Sequence, residues 1–196
     1  MTSPLPDIEG VLCCVAGKPF WSVLDLTAAY EQIRILPEHV ECSAVMMPDG
    51  NMVSLVLQMG DCNVLATYQS LMNYIFSPYL GQFLDAYLDD IIIYSDSLDD
   101  HLIHCKLAMD VLQKEKLYLS KAKIWFLRTE LNLLGCIIDV NGIRMDPKKV
   151  DSVLAWKMPT NRDLLQGFIG SVGYLADNIS NIRLPLGVLS RGLHYR

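Results

Sequence analysis

The sequence predicts an α+β fold of the split βαβ (ferredoxin-like) type, in which a largely antiparallel sheet carries helices on one face. The first observation is the order of patterns between residues 20 and 127, which is strand, helix, hairpin, helix, strand. The second is a basic region with helical patterns that follows without a long linker. We therefore expect a sheet domain followed by a mostly helical one.

The first strand is predicted at residues 20–26, which are rich in aromatic and apolar side chains. Further strands are predicted at 32–36 and 43–57, and Asp49-Gly50 marks a tight turn within the second of these. Apolar residues then recur at helical spacing from residue 63 to residue 76, and Pro78 follows. This segment therefore supplies the first helix packed on the sheet.

A second hairpin is predicted at residues 83–95, with Asp89-Asp90 at its tip between two apolar arms. The next helix begins after Ser97 or Asp99, either of which is a suitable N-cap. Strand-like sequence returns at 124–127 and 133–145, the latter containing an Asn141-Gly142 turn.

Two helices are predicted in the remaining chain. Asp146-Pro147 combines an N-cap residue with proline at the first helical position. The other helix is predicted to begin near Thr160, after Pro159. These patterns make the C-terminal region mostly helical.

Composition excludes several classes of protein. Of the 196 residues, 52% are hydrophobic and 19% charged, which excludes an intrinsically disordered chain. No apolar run reaches the ~18 residues of a membrane span. The first ten residues carry Asp7 and Glu9 but no basic residue, unlike a secretory signal. Six cysteines without metal-ligand spacing indicate reduced thiols inside a cell.

The net charge of −6 is unevenly distributed along the chain. Residues 1–105 contain 14 acidic and 2 basic side chains, whereas residues 106–196 contain 8 acidic and 14 basic ones. The first part therefore repels a phosphate backbone unless cations intervene, and the second part attracts one.

Three aspartates are candidate metal ligands. Asp25 ends the first strand, and Asp89 and Asp90 lie at the hairpin tip. In a split βαβ sheet these places can be neighbours, and clustered carboxylates repel each other unless a cation bridges them. Oxygen ligands suit Mg²⁺ or Mn²⁺, which can support phosphoryl transfer. The alternative is ordinary turn chemistry at Asp89-Asp90 and a strand-end or helix-capping role for Asp25.

Ordered motifs resemble those of reverse transcriptases. Tyr87-Leu88-Asp89-Asp90 resembles their Tyr-x-Asp-Asp box, and the stretch from Leu24 to Arg34 is similar to the first catalytic motif of gypsy-type LTR retrotransposon polymerases. Further similar segments follow in family order: Ala66–Asn73, Leu134-Gly135 with Ile137-Ile138, Asp146–Val150, Trp156–Asn161 and Pro185-Leu186. The resemblance covers nearly the whole chain.

The resemblance implies a polymerase palm and a catalytic site. Asp25, Asp89 and Asp90 would hold two Mg²⁺ ions, for which Mn²⁺ can substitute, while a primer 3′-hydroxyl attacks the α-phosphate of a dNTP. Lys123 matches a family lysine and would protonate the leaving pyrophosphate. The alternative for Lys123 is a solvated surface lysine.

The resemblance also implies binding residues. Those for the nucleotide are Leu26, Ala28, Ala29, Tyr30, which would exclude a ribose 2′-hydroxyl, and Gln69. Those for primer and template are Tyr87, Leu88, Leu134, Gly135, Lys148 and Lys149. Without the resemblance, Tyr30 would be interpreted as a half-buried sheet tyrosine and Gln69 as a polar residue on an exposed helix face.

The family's organisation implies five regions. They are residual fingers (1–19), palm (20–30 and 61–127), a fingers-like hairpin (31–60), a primer-grip hairpin (128–145) and a thumb (146–196). Expected partners are an RNA or DNA template with a DNA primer, and dNTP, but no membrane. Self-association is expected through surfaces that missing fingers would cover. The expected location is intracellular: cytoplasm, virus-like particles or nucleus.

Three departures from the family pattern favour an alternative function. Met59 and Asp61 stand where the family has its nucleotide-pocket motif, Ala176 and Asp177 replace thumb arginines, and most of the fingers are missing. Each lost arginine removes a phosphate contact. The alternative is a truncated, decayed or domesticated fragment without polymerase activity, which acts as an interaction module or has no selected role.

Overall fold

The computed structural model describes residues 8–133, 135–174, 176, 179 and 181–192. The described residues form two compact units. The first comprises those up to Leu131 together with Asp139–Gly142, and the second comprises Asn132–Ile138 and the residues from Ile143 onward. In these described ranges, no helix is both long and apolar enough to span a membrane.

The first unit is built on a four-stranded antiparallel sheet. Its strands are β1 (Phe20–Asp25), β4 (Leu84–Tyr87), β5 (Asp90–Ser95) and β6 (Trp125–Arg128), in the order β4-β5-β1-β6. A short helix, α1 (Ile8–Val15), precedes β1 in the chain. Helix α2 (Val64–Ile75) lies between β1 and β4, and helix α3 (Leu98–Lys114) follows β5. The predicted strand, helix, hairpin, helix, strand order is confirmed.

The core lies between the sheet and the two long helices. Strand residues Leu24, Ile91 and Ile93 pack with Met72 of α2 and Ala108 of α3, all of them fully buried. Because strand side chains alternate between faces, these residues mark one face as the helix-covered one. Trp21 points to the opposite face, where its indole Nε1 donates to the carbonyl of Val15 at the end of α1 at 3.0 Å.

Local capping explains where two helices begin. Ser97 Oγ accepts a hydrogen bond from the Asp100 backbone N–H at 3.1 Å, so Ser97 is the N-cap of α3. Asp146 Oδ1 accepts from the Lys148 N–H at 2.9 Å and begins α4 (Pro147–Leu154). Both starts are confirmed from the sequence signals.

The segment between β1 and α2 differs from prediction. Residues 32–36 are not a regular strand: 3₁₀ helices occupy Ala29–Gln32 and Pro37–Ser43, and only Arg34 forms an isolated bridge, to Val56. Pro37 lies in the first turn of the second of these helices, where its fixed φ and missing N–H favour helical turns over sheet pairing. The hairpin predicted within 43–57 is present but shorter, with strands β2 (Val45–Met47) and β3 (Gly50–Met52). Its turn is Pro48-Asp49, one residue earlier than the predicted Asp49-Gly50.

This short hairpin exposes apolar side chains. Met46 is 85% exposed and Met52 61%, while Met59, just beyond the hairpin, is 81% exposed. Neither strand buries a side chain within the described structure. Two exposed strands of three residues contribute little to the stability of the unit.

The second unit contains most of a small sheet and three helices. Strands β7 (Glu130–Leu133), β8 (Cys136–Asp139) and β9 (Gly142–Met145) form a three-stranded sheet in that order. The helices are α4, α5 (Arg162–Tyr174) and α6 (Arg183–Gly192). The mostly helical character is confirmed, although the sequence did not predict α6 separately. The five-region assignment stays a prediction.

A buried histidine network connects α3 to the sheet. The fully buried His101 hydrogen-bonds through Nε2 to Ser22 Oγ at 2.8 Å and through Nδ1 to Ser95 Oγ at 2.9 Å. Ser95 Oγ also lies 2.7 Å from His104 Nδ1. Burial, and to a lesser extent the neighbouring His104, lowers the pKa of His101. The ring is therefore neutral in the folded protein near pH 7.

We expect the fold to lose stability on acidification through this network. The unfolded histidine has a pKa of about 6.5, and the folded value is lower, so the unfolded state binds more protons as the pH falls below about 6.5. Urea unfolding at pH 7.5 and 5.5 should show a smaller loss in His101→Gln than in wild type. The exposed His39→Gln should behave as wild type, and an unchanged loss in His101→Gln would contradict this role.

Candidate active site

Two of the predicted carboxylates lie side by side on neighbouring strands of the four-stranded sheet. Asp25 is the last residue of β1 and Asp90 the first of β5, and the antiparallel register pairs their Cα atoms. Residues directly opposite in an antiparallel pair project to the same face. Asp25 is only 8% exposed. The end of β1 and the β4–β5 hairpin are therefore adjacent, as the strand order predicts.

Burial and neighbouring charges alter the ionisation of Asp90. The pKa of Asp90 is raised to about 6, mainly by burial and then by the negative charges of Asp89 and Asp25, with Lys123 opposing the shift. Part of the Asp90 population is therefore protonated in mildly acidic solution. A cation at this place would favour the ionised form.

The hairpin tip lies one residue earlier than predicted. Tyr87 pairs with Asp90, so the two-residue turn consists of Leu88 and Asp89, not Asp89-Asp90. Leu88 has a φ of +52°, a left-handed conformation that costs a non-glycine residue of order 1–3 kcal/mol. The turn therefore needs support from its surroundings.

Gln69 of α2 supplies this support. Its side-chain Oε1 accepts a hydrogen bond from the Leu88 N–H at 2.8 Å, and its Nε2 donates to the Ala86 carbonyl at 2.9 Å. A third hydrogen bond joins Nε2 to Asn73 Oδ1 at 2.9 Å. Gln69 is fully buried, so it does not lie on an exposed helix face. Its amide instead fixes the hairpin tip through these hydrogen bonds.

Lys123 contacts one of these carboxylates directly. Its Nζ lies 3.2 Å from Asp25 Oδ2. The hydrogen bond and charge of Asp25 raise the pKa of Lys123, with smaller contributions from Asp89 and Asp90. The ammonium group is therefore paired with Asp25 and also interacts electrostatically with Asp89 and Asp90.

Two tyrosines pack against each other near the carboxylates. Tyr30, on the 3₁₀ helix after β1, packs edge-on against Tyr68 of α2 with ring centroids 5.0 Å apart. The Tyr68 hydroxyl is buried and has no hydrogen-bond partner within the described structure. Burial, and then the charge of Asp89, raises the pKa of both phenols. Sequence reasoning missed Tyr68 because its spacing on α2 is also that of an ordinary core residue.

The remaining predicted nucleotide residues differ in exposure. The side chains of Leu26 and Ala29 are buried in the core. Ala28 is exposed and adopts a φ of +44°, where the chain turns after β1. Within this set, the exposed Ala28 and the backbone of this turn are therefore open to contact with a ligand.

The predicted primer and template residues lie in different parts of the fold. Tyr87 and Leu88 are half-buried at the hairpin tip. Lys148 and Lys149 are exposed in the first turn of α4 in the second unit. In that unit, the side chain of Lys149 packs against Gly135, in the space that the Cβ of any other residue would occupy. Leu134 lies outside the described residues.

The donor set suits a hard divalent cation. Among the described residues, no three His, Cys, Asp or Glu side chains are arranged to hold a metal ion by themselves. Asp25 and Asp90 instead present a facing pair of carboxylates, with Asp89 in the adjacent turn. Mg²⁺ is commonly bound through one or two carboxylates, with water and substrate phosphates as its other ligands. The residues present therefore suit Mg²⁺, which takes some of its ligands from water and substrate, better than a metal ion whose ligands all come from the protein.

Comparisons with known proteins identify relatives. Residues 6–138 match the family described as reverse transcriptase (RNA-dependent DNA polymerase). The chain is 31% identical over 196 residues to the retrovirus-related Pol polyprotein from transposon opus of Drosophila melanogaster, covering 98% of this chain and 20% of that protein. It is 33% identical over 172 residues to the transposon Tf2-3 polyprotein of Schizosaccharomyces pombe, covering 88% of this chain and 13% of that protein. The chain thus spans about a fifth or less of these relatives.

Solved structures share the fold. The foamy viral protease-reverse transcriptase dRH in complex with double-stranded DNA has a TM-score of 0.87 at 19% identity, covering 97% of this chain and 33% of that one. The foamy viral protease-reverse transcriptase in complex with an RNA/DNA hybrid has a TM-score of 0.83 at 20% identity, covering 97% and 26%. At these identities the likeness concerns the architecture.

Proposed function

The chain belongs to the reverse transcriptase (RNA-dependent DNA polymerase) family, and we propose that it is the polymerase module of a gypsy-type LTR retrotransposon polyprotein. The observation that carries this proposal is the facing pair Asp25 and Asp90 beside the turn residue Asp89. In such a place, carboxylates serve phosphoryl transfer by binding Mg²⁺ or Mn²⁺.

The proposed reaction extends a DNA primer. The primer 3′-hydroxyl loses its proton to solvent and its oxygen forms a bond to the α-phosphorus of a dNTP. The bond from that phosphorus to the oxygen that bridges to the β-phosphorus breaks, and pyrophosphate leaves. Mg²⁺ bound by Asp25, Asp89 and Asp90 would supply charge neutralisation for this step. Lys123 Nζ, which contacts Asp25, donates a proton to the leaving group.

The surrounding residues are proposed to bind substrates. Tyr30 and the backbone of Leu26, Ala28 and Ala29 hold the nucleotide, with the Tyr30 ring against the sugar, and Gln69 contributes by fixing the hairpin tip. The proposed contacts with an RNA or DNA template and its primer come from Tyr87, Leu88, Leu134, Gly135, Lys148 and Lys149. The proposed location is inside the cell, and self-association is proposed through exposed apolar surfaces such as the β2–β3 hairpin.

Primer extension tests the proposal. We expect wild-type protein to extend a DNA primer on an RNA template with Mg²⁺ or Mn²⁺, and Asp89→Asn to lose at least about 100-fold in rate, because positioned charge is usually the largest catalytic contribution. The exposed Asp110→Asn removes the same charge from α3 and should retain activity. Equal rates in Asp89→Asn and wild type would contradict the assignment of the site.

Metal binding provides a second readout. At a Mg²⁺ or Mn²⁺ concentration about 100-fold above Kd, the free energy of unfolding should rise by about 2.7 kcal/mol. Thermal unfolding should show this gain in wild type and Asp110→Asn but not in Asp89→Asn. An equal gain in all three proteins would remove the metal-site assignment.

The decayed or domesticated fragment remains the second candidate. Asp61 favours it, because its carboxylate is exposed next to the exposed Met59, in the segment that matches the family's nucleotide pocket. A negative charge there repels a triphosphate. Metal binding without primer extension, and extension restored by adding a fingers segment from a relative, would indicate a truncated enzyme. Continued inactivity would favour the decayed fragment.

A further inference from the structure

The loop that carries Lys123 is tied to the chain that follows Asp25. Gln32 holds Tyr118 at both backbone groups: its Oε1 accepts from the Tyr118 N–H at 2.7 Å, and its Nε2 donates to the Tyr118 carbonyl at 3.0 Å. The same carbonyl accepts from the Thr27 N–H at 3.0 Å. The start of this loop is therefore fixed to the end of β1 by side-chain and backbone hydrogen bonds.

A second set of hydrogen bonds leads to Lys123 itself. The Ser120 N–H donates to the Asp25 carbonyl at 2.9 Å, and the Lys123 N–H donates to the Ser120 carbonyl at 3.0 Å. The Lys123 backbone is thus two hydrogen bonds away from the backbone of Asp25. These backbone hydrogen bonds position the Lys123 side chain beside Asp25, so the ion pair depends on the conformation of this loop.

The two partners of the ion pair differ in exposure. The Asp25 side chain is 11% exposed, whereas that of Lys123 is 65% exposed. A carboxylate with little access to water, beside two further carboxylates, is destabilised unless a positive charge lies near it. A lysine on a flexible, solvated stem can leave without disturbing the core.

We propose that Lys123 is a resident counter-ion of the carboxylate site, which a divalent cation must displace, and that Gln32 keeps the lysine in place. The inference rests on the proposed function, because it takes Asp25 as a metal ligand. A magnesium ligand distance is about 2.0–2.1 Å, and a cation that close to Asp25 Oδ2 repels an ammonium group 3.2 Å from the same oxygen. The metal and the lysine therefore compete for Asp25, which lowers metal affinity until substrate phosphates add their own ligands.

Manganese binding tests this competition directly. Free Mn²⁺ is measured by electron paramagnetic resonance during titration of wild type, Lys123→Met and Lys121→Met. Methionine keeps an unbranched side chain without the charge, and the exposed Lys121 in the same loop controls for the change in net charge. We expect Lys123→Met to bind Mn²⁺ about two- to fivefold more tightly than wild type, and Lys121→Met to bind like wild type.

Lysine labelling gives an independent readout. Acetic anhydride followed by peptide mass spectrometry compares acetylation of Lys123 and Lys121 with and without Mn²⁺. We expect Mn²⁺ to increase the relative labelling of Lys123 in wild type. In Gln32→Leu and Asp25→Asn, Lys123 should label faster than in wild type before metal is added.

The outcomes separate the two proposals. Mn²⁺ binding of wild type and Lys123→Met with equal affinity, or weaker binding by the variant, would overturn the counter-ion role and leave the polymerase proposal intact. Failure of all three proteins to bind Mn²⁺ would overturn the metal site, and with it both proposals. Labelling of Lys123 that does not respond to Mn²⁺ would also overturn the counter-ion role.

Discussion

Replacing Gln69 by leucine is expected to destabilise the protein by about 2–4 kcal/mol and to reduce primer extension more than the loss of folded protein explains. The variant keeps a side chain of similar size but removes the acceptor for the Leu88 N–H and the donor to the Ala86 carbonyl. Each buried polar group left without a partner costs about 1–3 kcal/mol. The left-handed Leu88 then loses the interaction that holds it, and the adjacent aspartates move with the turn.

Urea unfolding and extension rates at a temperature where the variant is folded measure the two effects. The matched control is Gln82→Leu, because Gln82 is exposed and its Nε2 donates only to the carbonyl of Pro78 among the described hydrogen bonds. We expect a change of no more than about 0.5 kcal/mol there. A Gln69→Leu protein with wild-type stability would show that the hairpin tip holds its own conformation.

Replacing Asp90 by asparagine is expected to stabilise the protein at pH 8 by about 1–2 kcal/mol. A pKa raised from about 3.8 to about 6 means that the folded state binds the proton more tightly than the unfolded state. Stability therefore falls as the pH rises from about 4 to about 6, and the full penalty persists above pH 6. Two pKa units correspond to about 2.7 kcal/mol, reduced here because the carboxylate is partly solvated.

The same substitution should remove the stabilisation by Mg²⁺, so stability and function oppose each other at this residue. Urea unfolding of Asp90→Asn and wild type from pH 4 to pH 8 should show curves that meet near pH 4 and diverge up to pH 6. Asp110→Asn, on an exposed helix face, should show no such divergence. A constant difference at every pH would mean that packing, and not the ionisation of Asp90, distinguishes the stabilities of the two proteins.

The sequence predicted the position of the carboxylates better than it predicted the residues that hold the hairpin tip in place. Strand order alone indicated that Asp25 and the Asp89-Asp90 pair approach each other, because antiparallel neighbours in a split βαβ sheet bring those ends together. It misplaced the turn by one residue, since the hydrogen bond from Leu88 to Gln69 joins residues 19 positions apart. A polar residue on a helix also gives no local sign of being buried, so the orientation of Gln69 was not predictable.

Two further differences come from proline. Pro185 lies in the first turn of α6, a helix that the sequence did not predict separately, and its missing N–H costs nothing there. Pro37 similarly opens a 3₁₀ helix in a region whose apolar residues resemble a strand. In both places the three-dimensional context, and not local pattern, determines the structure.

The oxidation rates of the exposed methionines near the β2–β3 hairpin report whether this surface is covered. Peroxide converts accessible methionine to its sulfoxide, and the rate follows exposure. Met46, Met52 and Met59 should therefore oxidise early, whereas Met72, fully enclosed between α2 and the sheet, should resist. Whatever covers the hairpin, whether more of a polyprotein or a second copy, will slow the first three rates and leave the last unchanged.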